Sequence, residues 1–229
     1  MKIGFLGTGH ITSSVIEGIF KTKLKIKKIY ISPRNRIISK KLSKKFKKVA
    51  ISKNNQQLLN MSNWVFLAVT PKVGNTILKN LKFKKSHKVI SFISTINLEK
   101  LKKYTKVKNI VRVIPLPFIG INKGPIIICP KDSGVKKFFD KLGTTIEINN
   151  EKISKNFWTT SSFMAPFYNM MVVTSNWLVR RGVNKKVAEN YTRELFTALS
   201  LDSIFKNKMS LKQLVSESQT PGGINAQAL

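Results

Sequence analysis

Cysteine occurs once in the 229 residues, histidine twice, and acidic side chains only 10 times against 42 lysines and arginines. A single cysteine, Cys129, excludes an intrachain disulfide, and its place in the apolar run GPIIICP reads as a buried, inert thiol. With so few ligating side chains, no metal site is expected. Long apolar runs are missing too, because Lys, Asn or Arg interrupts each candidate short of the ~20 residues that a membrane span needs. Gly4, Gly7 and Gly9 break up the hydrophobic opening, which has no basic stretch and no small-residue cleavage site of a secretory signal. No membrane partner is expected, and the chain reads as cytoplasmic.

The shortage of acid leaves a net charge of +32. Alone, that number suggests nucleic acid or an anionic surface as partner. Arginine, however, is confined to Arg34, Arg36, Arg112, Arg180, Arg181 and Arg193, whereas dedicated phosphate and base readers lean on its planar fork. Lysine comes with abundant Ile and Asn, the mix an AT-rich coding sequence produces. Nucleic-acid binding is therefore the lesser reading. Residues 1–150 hold 32 of the 42 basic side chains and 5 of the 10 acidic ones. Clusters such as KKLSKKFKK read either as a solvated coat or as a positive field that draws in a phosphorylated dinucleotide.

Apolar runs alternate with helical patterns over the first 150 residues, the signature of a parallel α/β sheet. KIGFLG, KKIYIS, VAI, WVFLAV, KVISFI, NIVRVI, GPIIIC and TTIEIN read as strands. SSVIEGIF, NRIISKKLSKKF, VGNTILKNL, NLEKLKKY and DSGVKKFFDKLG read as the helical connections. From Lys152 the pattern is helical, with an interruption near Pro166, a stop at Gly182 and a second amphipathic helix from Val183 to Phe205. SLKQLVSES is a third piece, followed by TPGGINAQAL. The expected architecture is α/β: an N-terminal Rossmann-type parallel sheet over 1–150, then an all-helical dimerisation and substrate domain over 151–229. Phe163, Met164, Phe167, Met170, Met171 and Val172 make the first long helix apolar on most sides, which fits either a homodimer interface or an intrachain core.

GTGHIT, Gly7 to Thr12, follows the first strand and opens a helix. A phosphate-binding turn needs glycine first to leave the strand sharply, and again to let backbone N–H groups approach pyrophosphate. Gly7 and Gly9 meet both needs, and the helix beginning near Ile11 offers its free N–H groups and positive dipole end. Thr12 stands where a third glycine is usual, adding bulk between helix and strand. His10 reads either as a cofactor contact or as a solvent-facing residue, and His87, after lysines at a strand entry, reads as surface. The second strand ends Ile31-Ser32-Pro33-Arg34-Asn35-Arg36, without the carboxylate that would bind a ribose diol. Ser32, Arg34 and Asn35 form a candidate cradle for a 2′-phosphate, which favours NADPH over NADH. The other reading of Arg34 is an exposed turn residue.

These segments resemble the pyrroline-5-carboxylate reductases, which reduce a cyclic imine to proline with NAD(P)H. IGFLGTGHITSSVIEGI resembles the family's I-G-F-I-G-x-G-x-M-x-x-A-I-x-x-G, and LAVTPK resembles L-A-V-K-P-Q. RVIPLP resembles R-V-M-P-N-T, TPGGIN resembles S-P-G-G-T-T, and APFY, Ala165 to Tyr168, takes the place of G-P-A-Y. The resemblance implies an oxidoreductase of proline biosynthesis, a homodimer or higher homo-oligomer, and a small imino or keto acid as substrate. It assigns Ala68, Val69, Thr70 and Pro71 to the cofactor beside Gly7, Gly9, His10 and Ile11. Ser162, Tyr168, Gly222, Gly223 and Ile224 fall to the substrate, and Thr220 and Asn225 to catalysis. Ser162 and Tyr168 read equally as packing residues.

Departures cluster where the chemistry lies. Leu116 and Pro117 replace the family's Asn-Thr, and Ile224 and Asn225 replace its paired threonines. Ser94-Thr95-Ile96 replaces an Ala-Gly-Ile loop after the fifth strand. The family's pattern also continues with another helix beyond the position of Leu229, which reads either as a fragment of a longer protein or as a shortened helical domain. Two further readings follow: a catalytically degenerate nucleotide-binding paralogue and, less favoured, a basic nucleic-acid-binding protein.

Overall fold

The computed structural model describes residues Met1–Leu229, in two compact units, Met1–Ser161 and Ser162–Leu229. The first unit contains β1 (Lys2–Leu6), α1 (His10–Phe20), β2 (Lys28–Ile31), α2 (Arg36–Lys45), β3 (Val49–Ile51), α3 (Asn55–Met61) and β4 (Trp64–Leu67). It continues through α4 (Pro71–Ile77), β5 (Lys88–Ser91), α5 (Leu98–Thr105), β6 (Ile110–Ile114), a tight turn over Pro117–Ile121, β7 (Pro125–Cys129), α6 (Ser133–Phe139), β8 (Thr144–Glu147) and α7 (Glu151–Thr160). The second unit holds α8 (Met164–Arg180), α9 (Lys185–Phe205), α10 (Leu211–Glu217) and α11 (Ile224–Ala228).

One eight-stranded sheet runs in the order β3-β2-β1-β4-β5-β6-β7-β8. It is parallel except where β7 lies antiparallel to β6, after which β8 follows β7 in parallel. The expected parallel α/β sheet is therefore present, with one antiparallel pair within it. The Pro117–Ile121 turn is short enough for a hairpin-like reversal, whereas a parallel partner would need a crossover of a dozen residues or more. Strands covered on both faces need apolar side chains in both directions, which explains runs without alternation such as WVFL. Phe66 faces one core with Ile3, Phe5, Ile16 and Phe139, while its neighbours Val65 and Leu67 face the other with Leu58, Leu78 and Leu101. That split is the two-residue period of a strand acting on a continuous apolar run.

Asparagine, abundant in the sequence, starts many of the helices. Asn35, Asn54, Asn97, Asn150 and Asn184 each accept a backbone N–H in the first turn of α2, α3, α5, α7 and α9. Each such cap is worth about 1 kcal/mol over alanine. Asn54 also explains α3, a polar seven-residue helix too short to show a period. The break before Pro166 comes earlier than expected, in a tight turn over Ser161–Phe163, which leaves Pro166 in the first turn of α8, where its missing N–H costs nothing. The boundary of the compact units follows this break, so α7, which the change in pattern at Asn150 assigns to the helical domain, belongs with the sheet.

His87 is buried rather than superficial. Its Nδ1 accepts the Lys84 N–H at 3.1 Å and its Nε2 lies 3.1 Å from the Leu59 carbonyl, an arrangement that fixes the neutral tautomer. Burial lowers its pKa, opposed by the bond to Leu59 and reinforced by the charge of Lys84. A basic group depressed in the fold binds its proton more readily in the unfolded chain. The stabilisation is therefore complete above about pH 6.5 and is lost as pH falls below it. Melting curves at pH 7.5 and 5.5 should show a smaller loss in His87→Gln than in the parent. Equal losses would mean that another group carries the acid sensitivity.

Candidate active site

Strand order reverses between β1 and β4, and in open α/β sheets ligands bind in the crevice outside the carboxyl ends of the strands at such a switch. Gly7 leaves β1 with φ +105°, a conformation side chains resist, and a Cβ there would lie 2.2 Å from the Ala68 carbonyl oxygen. The turns after β1 and β4 thus press together, and the structure brings Gly7, Ala68 and Val69 to one place. Gly9 differs. Its backbone is extended (φ −102°), and a Cβ built on it meets no protein atom within 4 Å. The space beside Gly9 is open, and α1 starts there without a side-chain cap, unlike the asparagine-capped helices. Backbone donors at an open helix start suit an anion.

Thr12 explains how the third position tolerates bulk. It is fully buried, and its hydroxyl donates to the Gly7 carbonyl at 2.8 Å, so the added side chain is used to hold the turn. His10 is exposed at the first position of α1, and Ile11 is half-buried against the core. Thr70 is exposed and Pro71 opens α4.

Ser32 faces inward, not toward solvent. Its hydroxyl accepts the Gly7 N–H at 3.1 Å and lies 3.2 Å from the Thr8 hydroxyl, which itself donates to the Ser32 carbonyl at 2.8 Å. Ser32 therefore braces the glycine turn through its hydroxyl and carbonyl. Arg34 and Asn35 stand exposed beyond it, with Asn35 Oδ1 capping α2 through the Ile38 N–H.

A second set of polar groups lies along β5 and β6. Arg112 is buried, donating to Glu151 at 2.6 Å and to the carbonyls of Ile93 and Ser94. The sequence marks Arg112 only as part of RVIPLP and does not mark Glu151 at all. Its one signal is a carboxylate at the start of a helix in a chain with so few. Cys129, at the end of β7, is buried as expected, and burial pushes its thiol pKa up.

In the second unit, Thr220 to Gly223 form a tight turn: the Gly223 N–H donates to the Thr220 carbonyl at 2.8 Å, with Gly222 at φ +69°. Proline second and a positive-φ glycine third are the chemistry of a type II turn. Asn225 Nδ2 donates to the Ser218 carbonyl at 2.8 Å, so the amide hydrogen-bonds its own turn. Thr220 is exposed, as are Ser162 and Tyr168 near the start of α8, and Ile224 is 84% exposed.

A family model described as NADP oxidoreductase, coenzyme F420-dependent, matches residues 2–97. Pyrroline-5-carboxylate reductase 3 of Danio rerio is 24% identical over 240 residues, spanning 97% of this chain and 80% of the relative. Among solved structures, the 1-pyrroline-5-carboxylate reductase of Streptococcus pyogenes superposes with a TM-score of 0.82 at 22% identity, over 100% of this chain and 88% of that one. The pyrroline carboxylate reductase of Plasmodium falciparum, solved with NADP bound, gives 0.82 at 23% identity, over 100% and 87%. No helix is long and apolar enough to cross a membrane. With the glycine turn at the strand switch and its motifs in order along one chain, the protein has the fold of the solved pyrroline-5-carboxylate reductases and is similar in sequence to the Danio rerio relative.

Proposed function

We propose that the chain reduces a small cyclic imino acid with NADPH, pyrroline-5-carboxylate to proline being the first reaction to test. The observation that carries this reading is the open space at Gly9 beside the uncapped start of α1, which no protein group fills and a pyrophosphate would occupy. The backbone from Gly7 to Ile11 would hold the pyrophosphate, with Ala68, Val69, Thr70 and Pro71 alongside. Arg34, with Asn35, would take the 2′-phosphate, which is why NADPH is favoured over NADH. The neighbour from Plasmodium falciparum, solved with NADP, supports a nicotinamide dinucleotide. When bound, the cofactor supplies a hydride to the carbon of a C=N bond.

Hydride transfer asks the protein mainly for alignment and a nearby proton source. We assign alignment to the turn from Thr220 to Asn225. Gly222 and Gly223 leave backbone groups accessible to a carboxylate, and the Thr220 hydroxyl is the turn's candidate proton donor. Asn225, whose amide group is already donating, offers its carbonyl oxygen. Ser162, Tyr168 and Ile224 are assigned to the substrate's surroundings. Val172, Val173 and Trp177 of α8 and Val187, Tyr191 and Leu199 of α9 are all more than half exposed in the single chain. Apolar surface of that extent calls for cover, and a second copy of the chain is the proposed cover.

A second reading is a nucleotide-binding member without turnover, favoured by the Asn225 amide's bond to Ser218 and by Leu116 and Ile224 in place of polar residues. Fluorescence titration with NADPH and NADH, then NADPH oxidation with pyrroline-5-carboxylate and a panel of imino and keto acids, separates the two. Binding with turnover is expected. Binding without any turnover would favour the second reading, and no binding of either dinucleotide would sink both.

A further inference from the structure

Arg112 and Glu151 do more than pair. The guanidinium, 2% exposed, places Nη1 2.6 Å from Glu151 Oε1, and its Nη2 donates to the carbonyls of Ile93 at 3.3 Å and Ser94 at 2.5 Å. The same Glu151 oxygen accepts the backbone N–H of Leu98 at 2.9 Å. Ile93 and Ser94 begin the loop between β5 and α5, and Leu98 is the first residue of α5. One ion pair, supplied by β6 and α7, therefore grips both ends of a single loop, and the Trp158 ring lies 5.9 Å from the guanidinium carbon.

That loop borders the crevice. The Phe92 N–H donates to the Leu67 carbonyl at the end of β4, and Ile93 and Ile96 pack against Gly74 of α4 so closely that a Cβ there would lie 3.0 and 3.2 Å from their methyl groups. Thr95, between the gripped ends, is exposed, and Ser94 is half-buried. As a source of stability the pair is poorly designed. Taking the Arg112 charge, and most of the Glu151 charge, out of water is costly, an apolar pair of similar volume often serves as well or better, and Arg112 Nε is buried without a partner. What an apolar pair lacks is the means to hold two carbonyls and an amide in fixed directions.

We propose that Arg112 and Glu151 are positioning residues that clamp the β5–α5 loop in one conformation beside the cofactor crevice. The clamp's role in catalysis rests on the reductase reading above; its effect on the loop does not.

Amide hydrogen exchange on the full chain tests it in Glu151→Gln, in Arg112→Lys and in the double variant Arg112→Met/Glu151→Leu. In all three, exchange at residues 93–98 should rise at least about tenfold, the loss of more than 1.4 kcal/mol of local protection, while β1 and β2 keep the parent's rates. The double variant is decisive, because it should melt no lower than Glu151→Gln and still leave the loop unprotected. Parent-like exchange of the loop in the double variant, or acceleration spread evenly over the sheet in all three, would overturn the clamp. Where the parent turns over an imine, the variants should lose kcat with little change in KM for NADPH. Absence of turnover in the parent would sink the reductase reading while the exchange result still decides the clamp.

Discussion

Gly9→Glu is expected to lower the affinity for NADPH at least about a hundredfold while leaving the melting temperature within about 2 °C of the parent's. The carboxylate would enter the space a pyrophosphate needs, and like charges brought together in a binding site cost several kcal/mol. Stability is spared for a local reason. Gly9 already has a backbone conformation open to any residue, and nothing in the protein stands within 4 Å of the added Cβ. Gly7→Ala is its counterpart: φ of +105° and a backbone oxygen 2.2 Å from the new Cβ predict a loss of about 3 kcal/mol. Titration and thermal melting of the two variants together read the two roles apart. A stable Gly9→Glu protein that binds NADPH as the parent does would remove the dinucleotide site from this turn.

Much of the first unit was legible because parallel strands buried on both faces leave apolar runs that few other structures produce. All eight strands fall on runs visible in the sequence, down to VAI and TTIEIN. The reversal at β7 was not legible, since GPIIIC has the same composition whichever way it points. His87 misled for a related reason: flanking lysines reach solvent from a strand entry while the ring between them turns inward to a carbonyl far away in sequence. Long-range polar contacts have no period. Ser32 and Arg112 show the same limit at the candidate site, each visible as a residue type in the right motif, but with partners that only the fold supplies. Thr12 resolves in the opposite direction. It breaks the glycine pattern in sequence, yet its hydroxyl ties the helix to the Gly7 carbonyl, so the departure does not weaken the turn.

Choice between the two dinucleotides should be controlled by Arg34 and not by Ser32. Arg34 is exposed past the end of β2, whereas the Ser32 hydroxyl faces inward on the Gly7 N–H. Arg34→Asp would remove a charge-assisted contact worth about 1.5–3 kcal/mol and set a carboxylate against the 2′-phosphate. The same carboxylate can accept the hydroxyls of an unphosphorylated ribose. The ratio of NADPH to NADH affinity should therefore fall at least about a hundredfold. Ser32→Ala should act on both cofactors alike. It leaves the Gly7 N–H without its acceptor, at a cost of about 1–3 kcal/mol in the turn that both would share, and should leave the ratio unchanged. Dissociation constants for both cofactors in both variants decide the matter. If Ser32→Ala shifts the ratio and Arg34→Asp does not, the 2′-phosphate is read from within the turn, and the inward hydroxyl must reorient when the dinucleotide binds.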